Sequence, residues 1–220
     1  MRDPFIIITV GHSGSSAFTN ILNELGLFIG TNLIKGKNKN YYEHKYFQEV
    51  NQTILGSDGY PYEFSDTEGL LKRLEVYDGN KEFINKIRKE SFNIMENEGC
   101  DNRPWGFKNP KSCLTFPIWH QIFPNAKYFF LTRNYEDTKK GWHPKGDDGY
   151  FLFEKVFKKA IEFCEKEKIT HYIIDYNELT YCFEETIKKL SCIIHIKDMN
   201  TIKNIWKPKY ESIDVTCPSR

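Results

Sequence analysis

The sequence predicts an α/β protein in which a parallel sheet is covered by helices on both faces, making a three-layer sandwich. Three runs predict it: FIIITV at residues 5–10, AKYFFLTRN at 126–134 and THYIIDYNEL at 170–179. Each is short and nearly continuous in apolar residues, as befits a strand buried on both sides. Helically periodic stretches separate them, and strands that alternate with helices form parallel sheets. Ligands of such sheets collect at the C-terminal ends of the strands.

The elements follow in chain order. After the first strand comes GHSGSS, and then Ala17 with Ile21, and Phe18 with Leu22 and Leu25, repeat at helical spacing until Gly26, where a helix would stop. The glycine–serine stretch is therefore a strand-to-helix turn. Its backbone N–H groups and the helix start suit a phosphate or sulfate, with Gly11 and Gly14 allowing close approach and Ser13, Ser15 and Ser16 adding hydroxyls. A serine-capped glycine connection would read the same way. KGKNKN at 35–40 is a loop, and Phe47, Val50 and Ile54 then place a helix from about Glu43. GSDGYPYE breaks that pattern, and residues 68–98 form two amphipathic helices divided near Asp78 and Gly79. WGFKNP at 105–110 is a short strand closed by Pro110, FPIWHQIF a helix, and the segment from Glu184 to Leu190 another. Three strand ends carry distinctive polar groups: the Gly/Ser turn, Arg133 and Tyr176.

The 220 residues suit one domain with a helical elaboration at about 60–102. With 31 basic and 30 acidic residues the net charge is +1, which gives no pull toward nucleic acid or an anionic membrane. No apolar run reaches a membrane span and no secretory leader precedes the first strand, so a soluble, cytoplasmic protein is expected. The six cysteines are scattered without a C-x-x-C pair and are expected to be mostly buried and reduced. The six histidines show no H-x-x-x-H grouping, so no metal is expected. The first turn has no lysine before its serines and so lacks G-x-x-x-x-G-K-[ST], which disfavours an ordinary ATP or GTP site.

With these elements placed, the sequence resembles the sulfotransferases that use 3′-phosphoadenosine 5′-phosphosulfate (PAPS), most closely their bacterial-type and carbohydrate-type branches. GHSGSSAFTNILNELG resembles the family's 5′-phosphosulfate loop, and WGFKNPKSCLTFPIWHQIFPNAKYFFLTRN its K-[DN]-P-[RK] segment followed by the strand that ends in R-[DN]-P. IIDYNEL resembles the Y-E-D-L strand end. The ordered set spans residues 5 to about 190. The resemblance implies a P-loop-like fold, PAPS as co-substrate with PAP as product, and no metal requirement. It puts Gly11, His12, Ser13, Gly14, Ser15 and Ser16 around the 5′-phosphosulfate, Arg133 on the 3′-phosphate and Tyr176 near the adenine. Lys108 would face the sulfuryl group or the acceptor, with Lys111 a weaker candidate.

This sequence also departs from the family pattern. His12 stands where the family has lysine or arginine, and a histidine is a titrating cation. Gly141 replaces a serine that touches the 3′-phosphate, a role Thr138 could take over, and Tyr135 replaces the proline of R-[DN]-P. Glu43 is the expected base: it stands one helical turn before Phe47 and resembles the glutamate of a G-[YF]-[FY]-E segment, with Asn40 in place of the glycine. His44 is the alternative base. The expected reaction is sulfuryl transfer to a hydroxyl or amine of a polar, sugar-like acceptor in a pocket lined by residues 60–102 and 142–150. A P-loop small-molecule kinase and a catalytically silent nucleotide-binding module remain as alternatives, and oligomeric state is left open.

Overall fold

The computed structural model describes residues 1–36, 40–56, 67–142 and 147–194. Four strands form one parallel sheet: β1 (Phe5–Thr9), β4 (Gly106–Lys108), β5 (Lys127–Thr132) and β6 (His171–Asp175), in the order β4-β1-β5-β6. Ile7 pairs with Lys108 on one side and Phe129 on the other, and Thr132 with Asp175. The expected first strand stops one residue short of Val10. A separate antiparallel hairpin, β2 (Leu33–Lys35) and β3 (Asn40–His44), was not among the expected elements.

Alternation within the strands divides the core. Phe5 and Ile7 of β1, with Phe129 and Leu131 of β5, face α1 (Ser15–Glu24), α8 (Tyr176–Tyr181) and α9 (Phe183–Ile194) through Phe18, Leu22, Leu179, Ile187 and Leu190. Ile6, Ile8, Tyr128 and Phe130 face the opposite layer. That layer comprises α2 (Lys45–Leu55), α3 (Thr67–Glu75), α4 (Lys81–Asn97), α5 (Phe116–Ile122) and α7 (Asp147–Lys166). Because both faces of the sheet are covered, its strands read as unbroken apolar runs rather than alternating ones. The three-layer α/β class is the one the sequence predicts. α6 (Tyr135–Trp142) follows β5 directly.

Several boundaries differ from expectation. The break between α3 and α4 falls where Asp78 and Gly79 predict it, with Gly79 at φ 67° and Asn80 capping α4 by accepting from the Phe83 N–H. The helix expected from Glu43 begins at Lys45 instead. Its cap is His44, whose Nδ1 accepts from the Tyr46 N–H at 3.2 Å. The 20-residue α7 was not expected. Residues 60–66 and 143–146, parts of the expected acceptor segments, lie outside the described residues. Cys100, Cys113 and Cys164 are buried free thiols and Cys192 is an exposed one.

A buried polar knot anchors the chain beyond β4. The Asn51 side chain of α2 donates to Ser112 Oγ at 3.0 Å and accepts from Trp119 Nε1 at 2.8 Å and from the Thr115 hydroxyl. Every member is satisfied, so the knot fixes the 3₁₀ turn Pro110–Cys113 against α2 without the cost of an unpaired polar group.

Candidate functional site

β4 lies on one side of β1 and β5 on the other, so the crevice of this sheet falls at the C-terminal end of β1. The turn there passes through His12 at φ 65° and Gly14 at φ 87°, two left-handed residues in succession around Ser13. Gly14 is the N-cap of α1, and its carbonyl accepts from the Ala17 and Phe18 N–H groups at 3.0 and 3.2 Å. Among the described residues no side chain caps the helix start. The first-turn amides are thus oriented as an anion seat. A Cβ on Gly14 would overlap the Tyr176 ring, so glycine is needed here for space as well as for φ.

The serines of the turn have separate partners. Ser13 is buried and its hydroxyl bonds to the Thr9 hydroxyl, which itself donates to the Val10 carbonyl. The Ser13 proton is therefore committed beneath the turn. Ser15 is buried, and its carbonyl accepts from Thr19 Oγ1 at 2.7 Å. Ser16 Oγ donates to the Tyr41 carbonyl at 3.2 Å and lies 3.5 Å from Lys108 Nζ. Gly11 is half-buried and His12 exposed; the His12 carbonyl accepts from Arg133 Nη1 at 3.5 Å.

On the β4 side, Lys108 ends its strand with only 1% of its side chain exposed, and its Nζ is 2.7 Å from Glu43 Oε1. The other carboxylate oxygen, Oε2, accepts from Asn109 Nδ2 at 2.9 Å. Glu43 sits on β3, not in the first turn of a helix, so the face shared with Phe47 is not what brings it inward. The backbone does that instead: Tyr42 is held at φ 53°, a strained conformation for a bulky residue, and its N–H donates to Asn40 Oδ1 at 2.8 Å. The strand arrives over β4 with the carboxylate aimed at Lys108. Asn109 was not among the expected site residues. Its sequence signal is an asparagine immediately after a strand and before a proline, where a side-chain amide can cap the following turn.

His44 points elsewhere. With Nδ1 accepting from Tyr46, its Nε2 bears the proton that bonds Glu98 Oε1 at 3.0 Å. Glu98 Oε2 also accepts from the Thr31 hydroxyl at 3.0 Å and from the Thr31 N–H. Burial alone would raise the Glu98 carboxyl, but the Thr31 backbone bond and then His44 outweigh it and hold it below its ordinary 4.5. Both nitrogens of His44 are thus engaged, Nδ1 in capping α2 and Nε2 in tying the end of β3 to Glu98 just past α4.

On the β5 side, the Arg133 guanidinium lies over the Tyr176 ring, 4.5 Å from its centroid. Its Nε is buried and has no hydrogen-bond partner among the described residues. A buried donor without an acceptor is costly and marks a place for an anionic oxygen. Thr138, the expected substitute for a phosphate-touching serine, is buried in α6 and donates its hydroxyl to the Asn134 carbonyl at 2.9 Å. That leaves the hydroxyl no proton for a phosphate. Gly141 lies in the last turn of α6. Among the described residues no group of three or more His, Cys, Asp or Glu side chains could hold a metal ion. No helix among them is long and apolar enough to cross a membrane.

No protein-family model matches this sequence, and no curated protein matches it. Among solved structures, the chain is similar to a sulfotransferase domain from the curacin biosynthetic pathway, at 16% identity and a TM-score of 0.54 over 95% of this chain and 79% of that one. It is also similar to the sulfotransferase STF1 from Mycobacterium tuberculosis H37Rv, at 13% identity and a TM-score of 0.50, over 93% and 70% respectively. At these identities the likeness is one of fold.

Proposed function

We propose that the chain is a sulfotransferase that moves a sulfuryl group from PAPS to a hydroxyl or amine of a polar, carbohydrate-like acceptor. One observation carries the reading: the uncapped start of α1 lies between a lysine–glutamate pair at the end of β4 and an arginine with an orphaned buried N–H at the end of β5. An anion seat between a proton acceptor and a second anion-binding arginine is what transfer from a doubly phosphorylated donor needs. The sulfotransferase folds it resembles support the same reading.

In this reading the α1 amides and Gly14 hold the donor's 5′-phosphosulfate, and Arg133 forks onto its 3′-phosphate beside Tyr176. Each charge-assisted bond there contributes on the order of 1.5–3 kcal/mol. The donor supplies an activated sulfuryl group. Glu43 takes the proton of the acceptor hydroxyl, general-base work that commonly gives about 10²–10⁴-fold in rate. Lys108 pairs with the carboxylate and, within reach of Ser16, adds positive charge beside the anion seat. His44 serves the fold rather than the reaction. His12 gives the turn its carbonyl and, when protonated, a cation.

The test is ligand binding without magnesium followed by turnover. PAP should stabilise the protein, by about 2.7 kcal/mol at a hundredfold excess over Kd, and radiolabelled PAPS should label a sugar acceptor. A response to Mg-ATP with none to PAP would mean a kinase. PAP binding without transfer to any acceptor would mean a silent nucleotide-binding module.

A further inference from the structure

We infer that Asn109 is a positioning residue for the base: its side-chain amide holds Glu43 Oε2 while Lys108 holds Oε1, and so sets the direction in which the carboxylate meets an acceptor proton. The inference rests on the sulfotransferase reading for its catalytic meaning, but the contact itself is independent of it. Asn109 is buried, with 1% of its surface exposed, and it has no freedom to turn. Its Oδ1 accepts from the Lys111 N–H at 2.9 Å, capping the 3₁₀ turn, which leaves Nδ2 aimed at Glu43 Oε2 at 2.9 Å. Flipping the amide would put an oxygen against the carboxylate and a donor against a backbone N–H, so one orientation alone satisfies both sides. The turn beneath it is fixed by the Asn51 knot.

A lone lysine would hold Glu43 by one oxygen and let the carboxylate swing about that contact. The amide adds a second, uncharged anchor. It fixes the plane of the carboxylate without adding the charge that a second cation would bring, and each oxygen keeps a lone pair for an incoming proton. Among the described residues, the groups that meet Glu43 are Lys108 and Asn109 at the end of β4. Ser16 of α1 joins them through Lys108. Lys111 follows on the same turn, and on β3 itself His44 is turned away to Glu98, the residue just past α4.

Two substitutions test this. Asn109→Asp keeps an oxygen for the Lys111 N–H but replaces the donor facing Glu43 with a second carboxylate oxygen. Two carboxylates at this distance share a proton, so the apparent titration of the pair, followed by carboxyl-carbon NMR, should rise by about one pH unit or more over that of Glu43 in the unaltered protein. Asn109→Ala should lower kcat about 10- to 100-fold while leaving PAP affinity and the KM for PAPS unchanged, because the anion seat is untouched. A Glu43 titration unmoved by Asn109→Asp would overturn the contact. A kcat unmoved by Asn109→Ala would overturn its positioning role. If the unaltered protein binds no PAP and transfers no sulfuryl group, the functional reading fails, and the NMR titration still decides whether Asn109 governs the carboxylate.

Discussion

At the end of β4, Lys108, Glu43 and Asn109 bond one another; at the end of β5, Arg133 keeps a buried N–H with no hydrogen-bond partner among the described residues. Both clusters flank the same helix start, yet one has its polar groups paired and the other has a buried donor unpaired. A complete cluster contributes to folding and presents a preset geometry, whereas an incomplete one costs stability that a bound anion would return. The difference separates residues whose loss should be felt in the fold from those whose loss should be felt in binding.

Lys108→Met should show the largest effect, because it leaves the Glu43 carboxylate, 16% exposed, without its cation. Breaking a buried pair from one side costs about 3–5 kcal/mol, to be read from urea denaturation. A loss under about 1 kcal/mol would class the pair with surface bridges and dissolve the contrast. Arg133→Ala should do the reverse, leaving stability nearly unchanged and weakening PAP by roughly 2–3 kcal/mol, or about 30- to 150-fold, by calorimetry. Adenosine 5′-phosphosulfate, which has no 3′-phosphate, should be nearly indifferent to the change. Equal losses for both ligands would remove Arg133 from the 3′-phosphate.

Gly14→Ala probes the seat shared by the two clusters. A methyl group at φ 87° costs about 1–2 kcal/mol and also meets the Tyr176 ring, so a stability loss of at least that size should accompany weaker PAP binding. A variant as stable as the parent would mean that the ring yields freely. The smallest effect is a pH dependence from Glu98. Its carboxyl is held below its ordinary 4.5 in the fold, so the unfolded chain binds that proton more tightly. Its contribution is therefore complete above about pH 4.5 and is lost as the pH falls through the lower folded value. Glu98→Gln should flatten the acid side of the stability curve and leave its neutral side parallel to the parent's.

The sequence by itself determined the layered class, because strands buried on both faces and helices buried on one leave different local periods. It also determined the strand-to-helix turn before α1 and the break at Asp78 and Gly79, since glycine placement is a local constraint, whereas the left-handed backbone of His12 was not legible. Arg133 and Tyr176 were legible as polar groups at strand ends, where the structure stacks one on the other. Only the tertiary structure decided what these groups touch. Glu43 meets Lys108 across 65 positions of sequence, from a strand that the helical spacing of Phe47, Val50 and Ile54 concealed. Whether His44 works as a base or as a cap depends on Glu98, 54 positions away. Thr138 and Ser13 show the same limit, as each carries a hydroxyl of the expected type but spends its proton inside the fold. Residue type and spacing are short-range properties, whereas the partner that completes a buried polar group is chosen by packing between distant segments.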